Sequence, residues 1–215
     1  MRLALFGGSF DPPHRGHLAI ASAALERFAL DRVLFAPVGR QPLKRQGAVG
    51  SFEQRLAMIT LACRADRRFT PSALDAPHAD GSPNYSIGTI ESAIREQPAA
   101  ELFCLAGADS FHTLGHWREP QRLLAEAQWI VVSRPGYSIA DPEGLELTPA
   151  QRLRVHPLDT VHEEAAATDL RERLAQGDRC TDLLPEAVAA YIEANGLYRS
   201  SLSTNAAQRS RNPVP

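Results

Sequence analysis

The sequence predicts an α/β fold: a doubly wound, mostly parallel sheet with helices on both faces. Short apolar runs of strand length, at residues 3–8, 32–37 and 101–107, each end in glycine or proline. Between them, apolar residues recur every three or four positions, as on one face of a helix. Strands that alternate with helices in this way are typical of a parallel sheet that is covered on both sides.

The first predicted strand runs directly into a glycine-rich loop and two histidines. Leu3 to Gly8 form the apolar run, and helical spacing resumes after Pro13, which places His14, Gly16 and His17 at the start of a helix. A helix N-terminus has unpaired N–H groups and the positive end of the macrodipole, and both favour a phosphate. Imidazole N–H groups would add donors to the same anion.

Other interpretations of this histidine pair are open from the residues alone. An isolated pair at this spacing is more often a surface or capping pair. Zinc is a rival ligand, although no cluster of Cys, Asp or Glu lies nearby to complete a tetrahedral site. The chain has neither the P-loop nor the dinucleotide-binding glycine pattern, so those motifs do not explain its glycines.

The run Gly-Gly-Ser-Phe-Asp-Pro followed by His-x-Gly-His resembles the signature of the HxGH nucleotidyltransferases. In that superfamily a Rossmann-like first strand, loop and helix hold the triphosphate of ATP or CTP. The resemblance implies a catalytic role in charge stabilisation for His14 and His17. It implies ATP binding for Gly7, Gly8, Ser9, Phe10 and Gly16.

Lys44 is the only lysine in a chain with 23 basic residues. It lies in a polar, Gly- and Pro-containing loop at residues 38–50, where a compact ammonium would suit a phosphate. A surface lysine with no role is an equally simple explanation. Relatives have a Pro-x-Lys-type loop after the second strand, and their lysine faces the phosphates, so the resemblance implies a catalytic role for Lys44.

The bulk composition excludes several classes of protein. A net charge of −2 lacks the basic excess of most nucleic-acid-binding proteins, so we expect no nucleic-acid partner. No apolar run is long enough to span a membrane, and the first residues predict a strand and not a signal peptide, so we expect a cytoplasmic protein without a membrane partner. Cys63, Cys104 and Cys180 are odd in number and widely spaced, which predicts reduced thiols.

The middle of the chain predicts further alternating elements. Ser51 and Gln54 form a capping box for a helix through about Arg64, with an apolar face of Phe52, Leu56, Ile59 and Cys63. Strands are predicted at 69–73, at 129–132 (a central strand) and at 152–156. Helices are predicted from Tyr85 or Ser86 up to Pro98 and from Pro120 to Ala127.

The strand at 101–107 repeats the pattern of the first, since it ends in Gly107 and is followed by Asp109. Ligands of doubly wound sheets bind at such strand ends, and a carboxylate there suits a ribose hydroxyl. The resemblance implies that Gly107 and Asp109 bind ATP and that Trp117 binds the second nucleotide. Asp109 could instead be a helix cap and Trp117 a core aromatic. Arg134, in a turn after the next strand, is a substrate-binding candidate that could also simply face solvent.

The C-terminal third contains Thr168-Asp-Leu-Arg171 and an ending Leu-Pro-x-x-Val-x-x-Tyr-Ile. These resemble the helix start and the ending of bacterial nicotinate-nucleotide adenylyltransferases, and imply ATP binding by Thr168 and Arg171. Ala166 and Ala167 stand where relatives often have serines, so a hydroxyl contact there falls to Thr168. We predict one domain over residues 1–198, with a helical part at about 160–198, and a disordered tail at 199–215.

The resemblance implies transfer of AMP from ATP to nicotinate mononucleotide, with Mg²⁺ as cofactor and a homo-oligomer as a possible state. A pyridine carboxylate would accept hydrogen bonds at the predicted helix start, where N–H groups are unpaired, from Asn84, Tyr85 and Ser86. Alternatively, Ser86 only caps that helix. Two functional alternatives are a nicotinamide-mononucleotide adenylyltransferase and a non-catalytic nucleotide-binding regulator.

Overall fold

The computed structural model describes residues 1–42, 47–133, 139–159 and 167–199. Within these ranges the strands are β1 (Arg2–Gly8), β2 (Arg32–Pro37), β3 (Phe69–Pro71), β4 (Glu101–Gly107), β5 (Gln128–Val132) and β6 (Val155–Leu158). The α-helices are α1 (Arg15–Arg27), α2 (Phe52–Ala62), α3 (Ser86–Glu96), α4 (Ala108–His112), α5 (Pro120–Glu126), α6 (Pro149–Arg152), α7 (Ala167–Ala175) and α8 (Glu186–Ala194). Short 3₁₀ helices follow α2 at Cys63–Ala65 and α4 at Thr113–His116.

The six strands form one parallel sheet in the order β3-β2-β1-β4-β5-β6. The predicted fold class is therefore confirmed. The chain starts in the middle of the sheet, builds outward through β2 and β3, and then returns to the other side of β1 with β4. This reversal opens a crevice at the carboxyl ends of β1 and β4, which is where doubly wound sheets bind ligands.

Both faces of the sheet are buried, which explains why its strands are apolar runs and do not alternate with polar residues. Leu3 and Leu5 of β1 pack on one side with Ile90 of α3. Ala4 and Phe6, which point to the other side, pack with α1 and α2. A third cluster joins α2 to α7 and α8, and includes Met58, Leu170, Leu184, Val188 and Ile192.

Helix α2 begins with the predicted capping box, but its buried face differs from the prediction. Ser51 Oγ accepts from the N–H of Gln54 at 3.2 Å, and Gln54 Oε1 accepts from the N–H of Ser51 at 2.9 Å. Met58, Ile59 and Arg55 are fully buried. Phe52 and Leu56, predicted on the apolar face, are only half-buried because Arg55 takes the inward position beside them.

The sequence prediction was wrong about the bounds of the last strand and about the position of β5 in the sheet. A strand was predicted at 152–156, but Arg152 ends helix α6 and β6 begins only at Val155. Thr148 caps α6, since its Oγ1 accepts from the N–H of Gln151 at 3.3 Å. Strand β5, predicted to be central, lies next to the sheet edge. Strand β3 is shorter than predicted and ends at Pro71.

The C-terminal third contains two described helices, α7 and α8. Pro185 is the N-cap of α8, and Asn195 is its C-cap. The predicted tail lies outside the described residues from position 200 onward, as do residues 160–166 of the predicted helical part. In the described part of the chain, no helix is both long and apolar enough to cross a membrane.

Candidate active site

A cavity of about 330 Å³ opens at the carboxyl ends of β1 and β4. This volume lies in the range of small-molecule sites. The residues predicted from sequence that line it are Gly7, Gly8, Ser9, Asn84, Tyr85, Ser86, Gly107 and Trp117. The crevice therefore brings together candidates from four separate segments of the chain.

Two of these glycines keep space free above the sheet. A Cβ atom at Gly7 or Gly107 would have no protein atom within 4 Å, so the protein itself does not require glycine there. A side chain at either place would instead fill the crevice. Gly8 differs, because its Cβ would approach the Phe10 ring to 3.3 Å. Phe10 is fully buried with a left-handed φ of 48°, so it fixes the turn after β1 and does not face the cavity.

His14 and His17 lie together at the start of α1, beside the cavity and not in its lining. His14 is the N-cap residue, and its N–H donates to Nδ1 of His17 at 3.2 Å. The two ring centroids are 3.7 Å apart. Because Nδ1 of His17 accepts this bond, the neutral ring carries its hydrogen on Nε2 and can donate from there. His17 also packs against Phe6, a cavity residue, with ring centroids 5.9 Å apart.

Both histidines are neutral at physiological pH. Burial lowers the pKa of His14 to about 4. Burial, together with the neighbouring His14, lowers the pKa of His17 well below 6.5. Among the described side chains, Nδ1 of His14 is the one buried polar atom without a hydrogen-bond partner. This nitrogen can therefore bond a ligand or a water molecule.

A buried aspartate ties the histidine loop to distant parts of the chain. The Asp11 carboxylate accepts from the N–H of Val49 at 2.6 Å, the N–H of Gly50 at 3.0 Å and the hydroxyl of Tyr198 at 2.7 Å. Its carbonyl oxygen accepts from Arg171 at 2.9 Å. Burial and the Asp11 carboxylate raise the pKa of the Tyr198 hydroxyl, so it remains a donor.

Arg171 thereby bonds the loop that precedes the histidines, and its assignment to ATP binding stays a prediction. Its second N–H group contacts Thr168 Oγ1 at 3.4 Å. Thr168 is the second residue of α7 as described, and it is exposed. Neither residue lines the cavity.

Arg55 holds three backbone segments around the site. It is 2% exposed and donates to the carbonyl oxygens of Ser9 at 2.8 Å, Val38 at 2.8 Å and Gly50 at 3.1 Å. Ser9 follows β1 and Val38 follows β2, and both line the cavity. Burial lowers the pKa of Arg55, an effect that Asp11 partly offsets. Arginine does not lose its proton in proteins, so Arg55 is charged, and its bonds fix the loops after two neighbouring strands.

The Asn84 side chain is fully occupied by the protein. Its Oδ1 accepts from the N–H of Arg40 at 2.8 Å, and its amide donates to the carbonyl oxygens of Asp75 and Ala76 at 3.2 and 2.8 Å. These bonds fix the loop before α3. The Asp75 carboxylate accepts from Thr89 Oγ1 at 2.8 Å, and burial raises its pKa to about 6.

One end of the cavity combines a helix start with aromatic rings. Tyr85 is the N-cap residue of α3, and its ring lies under the guanidinium of Arg118 at 4.8 Å. Trp117 is half-buried, packs against Trp129 with centroids 6.1 Å apart, and donates from Nε1 to Thr113 at 3.2 Å.

Two of the remaining candidates, Gly16 and Asp109, do not line the cavity. Gly16 is buried in the first turn of α1. Asp109 is exposed in the first turn of α4, where it is not the cap residue, and does not line the cavity. Lys44 and Arg134 lie outside the described residues.

Sequence reasoning missed Arg55, Asp11, Arg118 and Tyr198. A buried arginine inside a helix has no periodic signal, because its partners are carbonyl oxygens that the sequence pattern does not display. Asp11 lies within the Gly-Gly-Ser-Phe-Asp-Pro motif, which by itself does not show which groups its carboxylate bonds. Its contact with Tyr198 spans 187 positions and follows only from the fold.

Comparison with known proteins identifies the family. A model of the cytidylyltransferase-like family matches residues 5–182, and the chain belongs to this family of nucleotidyltransferases. A protein of Roseiflexus sp. (strain RS-1) is 41% identical over 197 residues, which cover 92% of this chain and 98% of that protein. A protein of Thermus thermophilus is 42% identical over 199 residues, or 93% and 100% of the two chains. Both are named "Probable nicotinate-nucleotide adenylyltransferase", and this chain is a member of that group.

The fold agrees with a solved structure of low sequence identity. Plasmodium falciparum nicotinic acid mononucleotide adenylyltransferase, complexed with NaAD, has a TM-score of 0.69 at 13% identity. The match covers 92% of this chain and 97% of that one. At this identity the likeness concerns the arrangement of strands and helices.

Proposed function

We propose that this enzyme transfers the AMP part of ATP to nicotinate mononucleotide and releases pyrophosphate. The observation that carries the proposal is the cavity at the reversal of the sheet. Its lining includes the glycine-rich loop after β1, next to the neutral histidine pair, and the start of α3 beside Trp117. Two anionic nucleotides would meet in this cavity. The names of the relatives support the same pair of substrates.

The reaction needs no nucleophile from the protein. A phosphate oxygen of the mononucleotide would attack the α-phosphorus of ATP in line, and the bond to pyrophosphate breaks. The protein's task is to hold both anions in contact and to stabilise the charge that leaves with pyrophosphate. His17 would donate from Nε2, and Arg171 and the positive end of the α1 dipole would add positive charge at the same place.

We assign Lys44, Gly7, Gly8, Ser9, Gly16 and Gly107 to the ATP side of the crevice. Ser9 and the two glycines of β1 support this assignment by lining the cavity. Phe10 would contribute to ATP binding by fixing the loop after β1. Thr168 would contribute by accepting from Arg171. Asp109 and Arg134 remain predictions.

Mg²⁺ enters this proposal as part of the substrate MgATP. Phosphate oxygens are ligands that Mg²⁺ prefers, and the ion usually keeps several waters. In the described parts of the chain there is no group of three or more His, Cys, Asp or Glu that could hold a metal. In this proposal the ion is therefore held by the phosphate oxygens of ATP. When bound, the ion neutralises charge on the phosphate oxygens.

The nicotinate carboxylate would bind at the start of α3, where the N–H groups of Tyr85 and Ser86 have no helical partners. A carboxamide there would turn its NH₂ donors toward these N–H donors, at a cost of about 1 to 3 kcal/mol. Trp117 would pack against the pyridine ring. We assign Asn84 to the support of this segment, since its side chain is already bonded on both ends.

A pyrophosphate-release assay with MgATP and a panel of acceptors tests the proposal. Nicotinate mononucleotide should be used with kcat/KM about 5- to 150-fold above nicotinamide mononucleotide. A ratio near one, or one in favour of the amide, would move the assignment to the nicotinamide enzyme. Tight ATP binding without product from any acceptor would favour a nucleotide-binding regulator.

A further inference from the structure

We infer that Arg118 is a specificity-determining residue that attracts the carboxylate of the nicotinate ring. The inference rests on the proposed function and concerns the same end of the cavity. Arg118 follows Trp117 directly in the chain, and its guanidinium lies 4.8 Å from the centre of the Tyr85 ring. Trp117 and Tyr85 both line the cavity together with Arg118.

Arg118 is the one arginine or lysine among the described residues that line this cavity. The polar groups around it do not supply a second fixed cation. His116 is paired with Glu143 at 3.2 Å. Asp75 contributes a carboxylate to the same wall, and on its own would repel a carboxylate ligand. A positive side chain at this end is therefore what makes an anionic ring acceptable.

The guanidinium of Arg118 is not engaged in a strong ion pair within the described protein. Its nearest carboxylate is that of Glu119, at 3.8 Å. Glu119 is held more closely by Arg122, at 2.7 Å. Arg118 therefore keeps donors for a ligand, because its cation–π contact with Tyr85, 4.8 Å from the ring centre, does not use those donors.

Asn84 does not compete for this role, because its amide and carbonyl groups are bonded to loop backbone. The recognition of the carboxylate is then shared between the N–H groups at the start of α3 and the Arg118 side chain. Nicotinate mononucleotide and nicotinamide mononucleotide differ only in the substituent on the pyridine ring. Arg118 should consequently affect the choice between them and leave their shared ring stacking unchanged.

The test compares Arg118→Gln with wild type, using both mononucleotides at saturating MgATP. We expect kcat/KM for nicotinate mononucleotide to fall about tenfold, mainly through KM, and that for nicotinamide mononucleotide to stay within about twofold. Arg118→Lys keeps the charge and should retain an intermediate preference. Arg95→Gln is the matched control, since Arg95 lies on α3, bonds only Ser92 among the described residues and does not line the cavity.

Equal losses for both substrates would overturn the inference, because they would indicate that Arg118 acts only through Tyr85. An unchanged preference, or a lysine variant as unselective as the glutamine variant, would also overturn it. These outcomes differ from a failure of the proposed function, in which the wild-type enzyme itself forms no product from nicotinate mononucleotide.

Discussion

Replacing Arg55 with methionine should destabilise the protein strongly. The substitution keeps an unbranched side chain but removes the bonds to Ser9, Val38 and Gly50. Each carbonyl oxygen left buried without a partner costs about 1 to 3 kcal/mol. Some will reach water when the loops shift, so we expect a total loss of about 3 to 5 kcal/mol in the free energy of unfolding.

For a chain of this size, each kcal/mol moves the melting temperature by about 2 to 4 °C, so Arg55→Met should melt roughly 6 to 20 °C lower. Urea denaturation gives the free energy, and calorimetry gives the melting temperature. Arg95→Met serves as control, since Arg95 is exposed, and should change stability by less than about 0.5 kcal/mol. A loss below about 1 kcal/mol for Arg55→Met would refute the view that these bonds hold the loops together.

Three further predictions concern the site. His17→Ala should lower kcat by about 10²- to 10³-fold with a smaller effect on ATP binding, and activity within a few-fold of wild type would exclude His17 from charge stabilisation. Acetylation of amines should inactivate the enzyme unless MgATP protects Lys44; if an active Lys44→Arg variant is still inactivated, the N-terminus is responsible. Burial raises the pKa of Asp75 from 3.8 to about 6, so the stability it contributes is present below about pH 4 and is lost as the pH rises through about 6. At about pH 8, the free energy of unfolding of Asp75→Asn, measured by urea denaturation, should therefore exceed that of wild type by on the order of 2 kcal/mol. The difference between the two proteins should close toward about pH 4, and a difference that is constant with pH would contradict this pKa.

The sheet was predictable because its strands carry the signal in their own composition. β1, β2 and β4 are buried on both faces, and each ends at a glycine or proline that the sequence displays directly. The last strand was not predictable in the same way. Val155 to Leu158 contains a histidine and a proline at the sheet edge, and the preceding helix α6 is a single turn that is recognisable only from the Thr148 cap.

The site divides along a similar line. The places of Gly7, Gly8, Gly107 and the start of α3 at the crevice could be predicted, because each depends on a local pattern and on where strands end, while their roles stay predictions. The N–H of Asn84 is predicted to be unpaired at the start of α3, but it donates to the Arg40 carbonyl oxygen at 2.9 Å, and the Asn84 side chain is also bonded to loop backbone. Such long-range bonds depend on how loops meet, which a pattern of residue types does not encode. The single-domain boundary at 198 and the oligomeric state stay predictions.

The bond between Tyr198 and Asp11 has a consequence for synthesis of the protein in the cell. The two residues are 187 positions apart. At about 5 to 20 residues per second, a ribosome needs roughly 10 to 40 s to make the chain between them. During that interval the loop next to the histidines lacks a donor that it has in the finished protein. The loop that contains Asp11 is translated among the first residues. The Asp11 carboxylate, however, can accept from the Tyr198 hydroxyl only after the C-terminal helices have been translated.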